Sequence, residues 1–571
     1  MFRCKNTGGP PVPPLTDSGL SPCHMTLIAS TISDLRETER AASVCGCYAL
    51  MRRHAFIIPS FLIAMLVCFW FVTWGNFRLF DAERFTSFYD AQARALLHGR
   101  FDVPPDAIGF EAFVREGKSY GYFGIAPSLI RLPLVILFPK MDGRWSRMFM
   151  LLACGINLLC AYRLVLRFRG RGISTVVGPS LNVGRALPAA IAHRRAVPAL
   201  HRGWDADTSG GSAPPTEAID SGRDAASTRI GAAQKILLSL FVLCAGIGST
   251  NIFIASRSYT YHEAIMWGGT FALLFTDCLL SYLATPKLRL LAMAGLFAFL
   301  SFHSRPTTGT GALLALCVLI TVLAFRPKRG SIIGMAPVVR PVPHVLLACF
   351  AVLMTVGVYF GVNYGRFRAF DGVPVRFYAQ YLAHPERMAA TGGRQFHLEN
   401  APTALASYFG FGGLRFSSQF PWAFMVQRPI VLGSPNIDVV EPYSSAPLSM
   451  PAIVFLALGG AWPIVTGRSI VLRRFRLPVI ALLLGGSIVL FTVGMTQRYL
   501  HDFYPFLIVA GAAGVCRLAA SPLHWRMAGL LTVLAAISIY LNCTFALEFK
   551  RNRLGISESH LQELVRMRSN R

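Results

Sequence analysis

Eleven long apolar runs constrain the fold of this chain more than any other feature of its sequence. A bilayer core about 30 Å thick needs about 20 apolar residues in each helix that crosses it. The chain has 53% hydrophobic and only 15% charged residues, whereas water-soluble domains carry about 25% charged residues. This composition predicts an all-α polytopic membrane protein and argues against a water-soluble enzyme. The runs lie near 55–75, 145–166, 236–255, 262–283, 288–303, 307–325, 344–363, 449–466, 478–495, 503–519 and 527–545.

A twelfth apolar run, at 126–138, decides the orientation. It has 13 residues, two of them prolines, and is too short to cross a bilayer comfortably. If it does not cross, four short loops that together hold 12 Lys or Arg and no Asp or Glu all face the cytoplasm, as the positive-inside rule requires. We therefore predict a re-entrant or interfacial helix here, a cytoplasmic N-terminus and an extracytoplasmic C-terminus. The four loops are 284–289, 326–343, 467–477 and 517–526.

The polar segments divide the chain into parts. The first 50 residues lack a signal-peptide apolar core, and Met51 stands directly before the first membrane helix as a candidate initiator. A stretch rich in Gly, Ala, Ser, Pro and Arg predicts a disordered cytoplasmic insertion. The predicted parts are a disordered tail at 1–50, a membrane domain at 51–545 with outer loops at 76–144 and 364–447 and an insertion at 167–234, and a C-terminal tail at 546–571.

The first outer loop contains a candidate general base. Residues 87–98 read as a helix with Ser87 or Thr86 as its cap, and Asp90, Arg94 and His98 recur on one face of it. A carboxylate held there can take a proton from an acceptor hydroxyl as that hydroxyl attacks a carbon atom. The structural alternative is a solvated salt bridge between Asp90 and Arg94.

Further polar clusters open membrane helices at the same predicted outer face, where such residues are costly and often functional. Guanidinium groups suit a departing phosphate because they donate two parallel hydrogen bonds. The predicted phosphate-binding residues are Arg305, Arg498 and Arg94. The predicted substrate-binding residues are His262, Glu263, Tyr120, Tyr122, Tyr499, His501 and Asp502.

Four stretches of local sequence resemble the bacterial GT-C superfamily of integral membrane glycosyltransferases, in an uncharacterised branch. They are YDAQARALLHGRFDVP (89–104), YFGIAPSLIRLP (122–133), YHEAIMWG (261–268) and RYLHDFYPFL (498–507). The resemblance covers about 51–545. It implies a GT-C-like helix bundle in the bacterial inner membrane that transfers a sugar, with inversion, from a polyprenyl-phosphate donor to an envelope glycan, lipid or protein outside the cytoplasm.

The same resemblance implies that the catalytic carboxylate lies in the first outer loop. The loop offers Asp90, which we prefer because a helix fixes its direction, and also Asp81 and Glu83. It further implies no cofactor and at most a weak dependence on a divalent cation. The sequence gives no reason to expect a metal site or a nucleic-acid partner.

Two other functions remain open at this stage. An O-antigen polymerase or ligase also has a large outer loop, and the segment 364–447 carries seven arginines. A lipid or sugar transporter (flippase) would place polar groups near the bilayer midplane and often shows two related halves. The chain shows no internal repeat, and its polar clusters lie at one surface.

Overall fold

The computed structural model describes residues 54–83, 85–169, 230–325 and 332–551. The predictions for the tail at 1–50, for most of the insertion and for 552–571 lie outside the described residues. The chain divides into two compact units, 1–58 and 59–571. Of the first unit, only 54–58 are described, and they contain a 3-10 turn at Ala55–Ile57.

Nine helices in the described part of the chain are long and apolar enough to cross a membrane, which confirms the predicted helical membrane fold. They are Ala55–Thr73, Ser146–Phe168, Ala232–Ala255, Thr260–Ala284, Pro306–Phe325, Pro341–Phe367, Ile470–Phe491, Gln497–Ala520 and His524–Lys550. Three apolar helices are shorter: Ala126–Leu137, Leu288–Phe302 and Pro451–Thr466. Each of the eleven predicted segments therefore corresponds to a helix, and the 12-residue helix at Ala126–Leu137 is too short to cross.

The α-helices and β-strands are numbered in chain order. The helices are α1 Ile58–Thr73, α2 Phe88–Leu97, α3 Pro105–Ile108, α4 Ala126–Leu137, α5 Ser146–Arg169, α6 Ala232–Gly246, α7 Thr250–Ala255, α8 Thr260–Ala284, α9 Leu288–Phe302, α10 Pro306–Phe325, α11 Pro341–Phe367, α12 Ala379–Ala383, α13 Pro385–Ala390, α14 Asn400–Phe409, α15 Ala446–Ser449, α16 Pro451–Thr466, α17 Ile470–Ser487, α18 Tyr504–Ala520 and α19 His524–Arg551. The strands are β1 Phe113–Arg115, β2 Lys118–Tyr120, β3 Leu414–Phe416, β4 Ala423–Met425, β5 Val439–Val440 and β6 Gly494–Met495.

Several predicted boundaries are wrong. The predicted loop 467–477 is mostly helical because α17 begins at Ile470, so its basic residues extend the helix beyond its apolar centre. The predicted segment 236–255 is broken between α6 and α7. Helix α5 reaches Arg169 and α6 begins at Ala232, so both ends of the predicted insertion are helical. Helix α19 continues past the predicted end at 545 as far as Arg551.

The first outer loop contains the predicted helix as α2, which packs against α4 through the hydrogen bond from Ser128 Oγ to Gln92 Oε1 (2.8 Å). The predicted salt bridge between Asp90 and Arg94 does not form, because Arg94 pairs with Asp142 instead, with Nε 2.5 Å from Oδ2. The predicted side-chain cap is also wrong: Ser87 occupies the N-cap position without a capping hydrogen bond. The tertiary contacts of α2 therefore override its local pairings.

Helices α16 and α18 cross where two glycines meet, which allows their backbones to approach closely. A Cβ on Gly514 would lie 1.9 Å from the carbonyl oxygen of Leu456, and a Cβ on Gly460 would lie 1.9 Å from that of Ala510. No side chain fits at either position unless the helices separate. The short helix α16 is thus held by backbone contact as well as by apolar packing.

We expect Gly514→Val to prevent accumulation of folded protein, because the new side chain would push α16 and α18 apart. The measurement is the monodisperse peak in detergent size-exclusion chromatography. Gly529→Val is the matched control, since a Cβ on Gly529 meets no atom within 4 Å. Equal yields of the two variants would contradict this account of the crossing.

Candidate functional site

Polar side chains from five separate segments meet at one end of the helix bundle. The guanidinium carbon of Arg498 lies 4.5 Å from the ring centre of Tyr261, at the start of α8. The ring of Tyr499 lies between two arginines, 5.2 Å from the guanidinium carbon of Arg305 and 5.8 Å from that of Arg498. The structure therefore brings together two of the three arginines predicted to bind phosphate, Arg305 and Arg498, and the predicted substrate residue Tyr499.

Arg305 is fixed by Asp502. Its Nε and Nη2 atoms lie 3.0 and 2.9 Å from the two carboxylate oxygens, and the hydroxyls of Thr307 and Thr308 also donate to Oδ1. Asp502 is buried and fully engaged by these contacts. It therefore orients Arg305, whose half-buried side chain borders the site.

Arg498 is fixed in the same way by Glu441, at 2.5 and 2.9 Å from its two oxygens. The parallel pairing of β5 with β6 places Glu441 beside Arg498, and the amide of Glu441 donates to the carbonyl of Met495 (2.8 Å). The hydroxyl of Thr496 donates to the same carboxylate (2.8 Å). The late outer loop thus contributes a carboxylate that orients an arginine contributed by another segment.

Glu111, from the first outer loop, lies among these groups. Tyr378 Oη donates to its Oε2 atom at 3.0 Å. Burial raises the pKa of the Glu111 carboxyl, whereas the nearby guanidinium of Arg498 lowers it, and the net pKa is raised. Burial also raises the pKa of the Tyr122 phenol, and the charge of Glu111 raises it further. Glu111 and Tyr122 are only partly buried.

Asp90 lies instead in a fully buried ion triad. Arg131 Nη1 donates to Asp90 Oδ1 (2.9 Å), and Arg131 Nη2 donates to both oxygens of Glu263 (2.6 and 2.7 Å). The amide of Gly143 donates to the second oxygen of Asp90 (2.6 Å). Burial raises the pKa of Asp90, although Arg131 and the Gly143 amide both lower it. Asp90 and Glu263 are thus buried from solvent, and their shared contact with Arg131 connects α2 and α8 through α4.

The other two predicted carboxylates differ from each other in accessibility. Glu83 accepts from Arg147 Nη2 (3.0 Å), Lys550 Nζ (3.1 Å) and the amide of Ser258 (3.1 Å), so it fixes the first outer loop to α5 and α19. The side chain of Asp81 is 42% exposed and lies 3.6 Å from Arg147. Asp81 is therefore reachable, whereas Glu83 serves as a structural anchor.

Four more predicted site residues lie in supporting positions. His262 is buried with Nδ1 3.0 Å from the carbonyl of Arg257, and His501 is buried with Nδ1 3.0 Å from Thr250 Oγ1. Tyr120 packs in the core against Phe367, with ring centres 6.0 Å apart. Arg94 is held by Asp142, as described above, and by two carbonyls. These contacts hold the four side chains within the protein framework.

Arg366, at the end of α11, is a buried cation that has no salt bridge among the described residues. Its Nη1 atom donates to the carbonyl of Phe123 (3.0 Å), while its Nε and Nη2 atoms are buried without a hydrogen-bond partner in this part of the structure. It lines a narrow cleft together with Tyr122 and His303. An uncompensated buried charge is costly, so this position favours an anion beside it.

We expect Arg366→Met to raise the free energy of unfolding by about 1 kcal/mol or more, because it removes the uncompensated charge and keeps the apolar stem. Thermal unfolding in detergent measures the change. Arg428→Met, at an exposed arginine of the same outer segment, should leave stability within about 0.5 kcal/mol. If the Arg366→Met protein is less stable than the wild type, the charge of the Arg366 guanidinium is compensated within the folded protein.

Sequence reasoning missed three functional candidates: Glu111, Glu441 and Arg131. Arg366 is one of the seven arginines of 364–447 that kept the polymerase or ligase alternative open. Arg131 could have been found from its place within the apolar run 126–138. A charged residue in such a run indicates a buried ion pair, because intramembrane charges are rare and usually paired. Nothing in the local sequence separates Glu111 from other loop carboxylates. In the described segments no three His, Cys, Asp or Glu side chains form a group that could hold a metal ion, and the expectation of no cofactor stays a prediction.

No family model and no curated protein matches this chain. Solved structures of the Archaeoglobus fulgidus oligosaccharyltransferase match at 12% identity. The apo form has a TM-score of 0.44, and the match covers 90% of this chain and 58% of the chain in that structure. The form in complex with an inhibitory peptide and a dolichol-phosphate has a TM-score of 0.43, and the match covers 91% of this chain and 58% of the chain in that structure. This chain therefore spans less than two thirds of the length of these neighbours.

Proposed function

We propose that this protein is a bacterial inner-membrane glycosyltransferase that transfers a sugar from a polyprenyl-phosphate donor to a cell-envelope glycan, lipid or protein on the extracytoplasmic face. The observation that supports this most is the meeting of Arg305, Arg498 and Tyr499, with the partly exposed carboxylate Glu111 close enough for the charge of Arg498 to lower its pKa. This set combines cations that suit a phosphate, aromatic rings that suit a sugar and a base. All of it lies at the end of the bundle that we predict, from the positive-inside rule, to face away from the cytoplasm.

In the proposed reaction an acceptor hydroxyl attacks the anomeric carbon of the donor sugar. Glu111 takes the hydroxyl proton as the new C–O bond forms. The bond between the anomeric carbon and the phosphate oxygen breaks, and its electron pair leaves with the polyprenyl phosphate. Arg305 and Arg498 stabilise the added negative charge on that phosphate because their own carboxylate partners hold them in place before the reaction. Arg366 contributes a third cation next to Tyr122.

The preference for Glu111 over Asp90 rests on access. Asp90 is buried, and both of its oxygens accept hydrogen bonds from protein groups. It is proposed as a positioning residue that holds α2 in place. Asp81 is the alternative base, since its side chain is exposed, but its described cationic neighbour is Arg147 and not the arginine pair of the site.

The experiment is complementation of a null strain, with mass spectrometry of envelope glycans and polyprenyl-phosphate lipids. A glycan that lacks one sugar residue, together with an accumulated donor lipid, would support the proposal. The missing residue would name the sugar, and restoration by the wild-type gene would attribute the loss to this protein. Arg498→Gln should not restore the glycan, whereas Arg428→Gln should. Failure of Arg428→Gln alone would favour the polymerase or ligase alternative. An unchanged glycan and donor pool in the null strain would contradict transferase activity.

A further inference from the structure

The opposite end of the bundle contains a cleft of about 390 Å³ that the proposed reaction does not use. The ends of α5 and α8 and the beginning of α17 form its walls. Tyr261 and Leu280 lie on the same helix, and 19 residues at about 1.5 Å each separate them by about 28 Å. That distance is close to the thickness of the bilayer core, about 30 Å. The cleft therefore lies at the depth of the head groups of the other leaflet.

Three arginines line the cleft, and one buried aspartate organises two of them. Asp277 accepts from Arg163 Nη2 (2.8 Å) and from Arg167 Nε (2.5 Å), which holds the two guanidinium groups side by side. The Nη2 atom of Arg167 also donates to Ser281 Oγ (2.6 Å). The third arginine, Arg474, belongs to α17. Three guanidinium groups therefore border the cleft, beside the Asp277 carboxylate.

The position of Arg474 is fixed by a close backbone approach. Its Nε atom donates to the carbonyl of Gly334 (2.8 Å). Gly334 has a φ of +62°, and a Cβ there would lie 2.6 Å from the carbonyl oxygen of Ile470 and 3.0 Å from the side chain of Arg474. The glycine thus lets this segment contact the first turn of α17, so the third cation is held in place.

The remaining walls of the cleft are apolar. Leu166, Leu280, Val471 and Phe475 line it beside the arginines, and the ring of Phe475 stacks on Phe168 at 3.8 Å between centres. A soluble anion would gain nothing from this apolar wall. A ligand with a phosphate head and an acyl chain contacts both parts of the lining.

We propose that this cleft binds the phosphate group of an anionic membrane phospholipid, with an acyl chain against Val471 and Phe475. The ligand belongs to the leaflet opposite the proposed transfer site, and the site is independent of the proposed function. An inorganic phosphate or other soluble phosphate shares the head-group chemistry and is distinguished below by experiment.

The test uses the full-length protein reconstituted in nanodiscs of phosphatidylglycerol mixed with phosphatidylcholine, with retained lipids measured by native mass spectrometry. We expect preferential retention of phosphatidylglycerol, and a loss of that preference of about tenfold or more in the double variant Arg163→Gln/Arg474→Gln, since each basic residue near a head group contributes about 1 kcal/mol. Arg289→Gln, at an exposed arginine of the same end, is the matched control and should keep the preference.

A second variant protects the test against a folding defect. Val471→Trp keeps all three arginines and fills the cleft, so it should also reduce phosphatidylglycerol retention. Equal retention of both lipids by the wild type, or an equal loss in Arg289→Gln, would overturn the proposal. Thermal stabilisation of delipidated wild-type protein by inorganic phosphate, absent in the double variant, would reassign the cleft to a soluble anion and overturn the lipid assignment.

Discussion

Glu111→Gln is expected to lower the rate of sugar transfer by about 10²- to 10⁴-fold, because it removes the proposed general base. The substitution preserves the fold, since the amide oxygen of Gln still accepts the hydrogen bond from Tyr378 Oη. The measurement is kcat with saturating donor and acceptor, together with the yield of folded protein. Donor affinity should change little, because the arginine pair stays intact.

The matched control is Glu116→Gln, in the same outer loop, where the side chain is 73% exposed. It should transfer sugar at the wild-type rate. Asp90→Asn should lower stability and activity together, as a buried positioning residue would. A Glu111→Gln protein with wild-type kcat, or an Asp90→Asn protein that is stable yet inactive, would return the role of base to Asp90. An inactive but stable Asp81→Asn protein beside an active Glu111→Gln would assign it to Asp81.

The pH dependence gives a second readout of the same residue. Burial raises the pKa of Glu111 above the ordinary carboxyl value of 4.5. A base must be deprotonated to act, so transfer is absent at low pH and increases as the pH passes through the folded-state pKa. The rising limb of the kcat profile should therefore lie above pH 4.5 in the wild type. An unchanged rising limb in the residual activity of Glu111→Gln would contradict this assignment.

Arg131→Met is expected to lower the free energy of unfolding by about 3–5 kcal/mol, which is the usual cost of leaving a buried charge without its partner. The cost is large because Arg131 serves two fully buried carboxylates, Asp90 and Glu263. Met keeps the volume and the apolar stem, so the effect reports charge more than packing. Thermal unfolding in detergent, followed by size-exclusion chromatography, measures it.

The control for this prediction is Arg94→Met. Its ion pair with Asp142 is partly exposed, at 40% and 30% for the two side chains, so the loss should be within about 1 kcal/mol. Combining Arg131→Met with Asp90→Asn and Glu263→Gln should recover much of the stability, because no uncompensated carboxylate remains. A triple variant no more stable than Arg131→Met would show that the loss comes from shape and not from charge.

The sequence determined the membrane helices because each one is a local property of about 20 apolar residues. It also placed Arg305, Arg498 and Tyr499 at one end of the bundle, since each adjoins the end of an apolar run. Helix α2 was also predicted from the local sequence at 87–98, although its predicted side-chain cap is absent. These predictions succeeded because burial in a bilayer requires backbone hydrogen bonds within each segment, so a single segment is informative by itself.

Only the tertiary structure decided which carboxylates are accessible. Asp90 meets Arg131, 41 residues away, and that arginine meets Glu263, 132 residues away; this contact buries the carboxylate that the sequence favoured. Glu111 comes within range of the charge of Arg498, 387 residues further along the chain, only through the folding of the two segments. Exposure and charge pairing depend on neighbours that no local pattern specifies, so the partly exposed Glu111 could be proposed as the base only once the helices were packed.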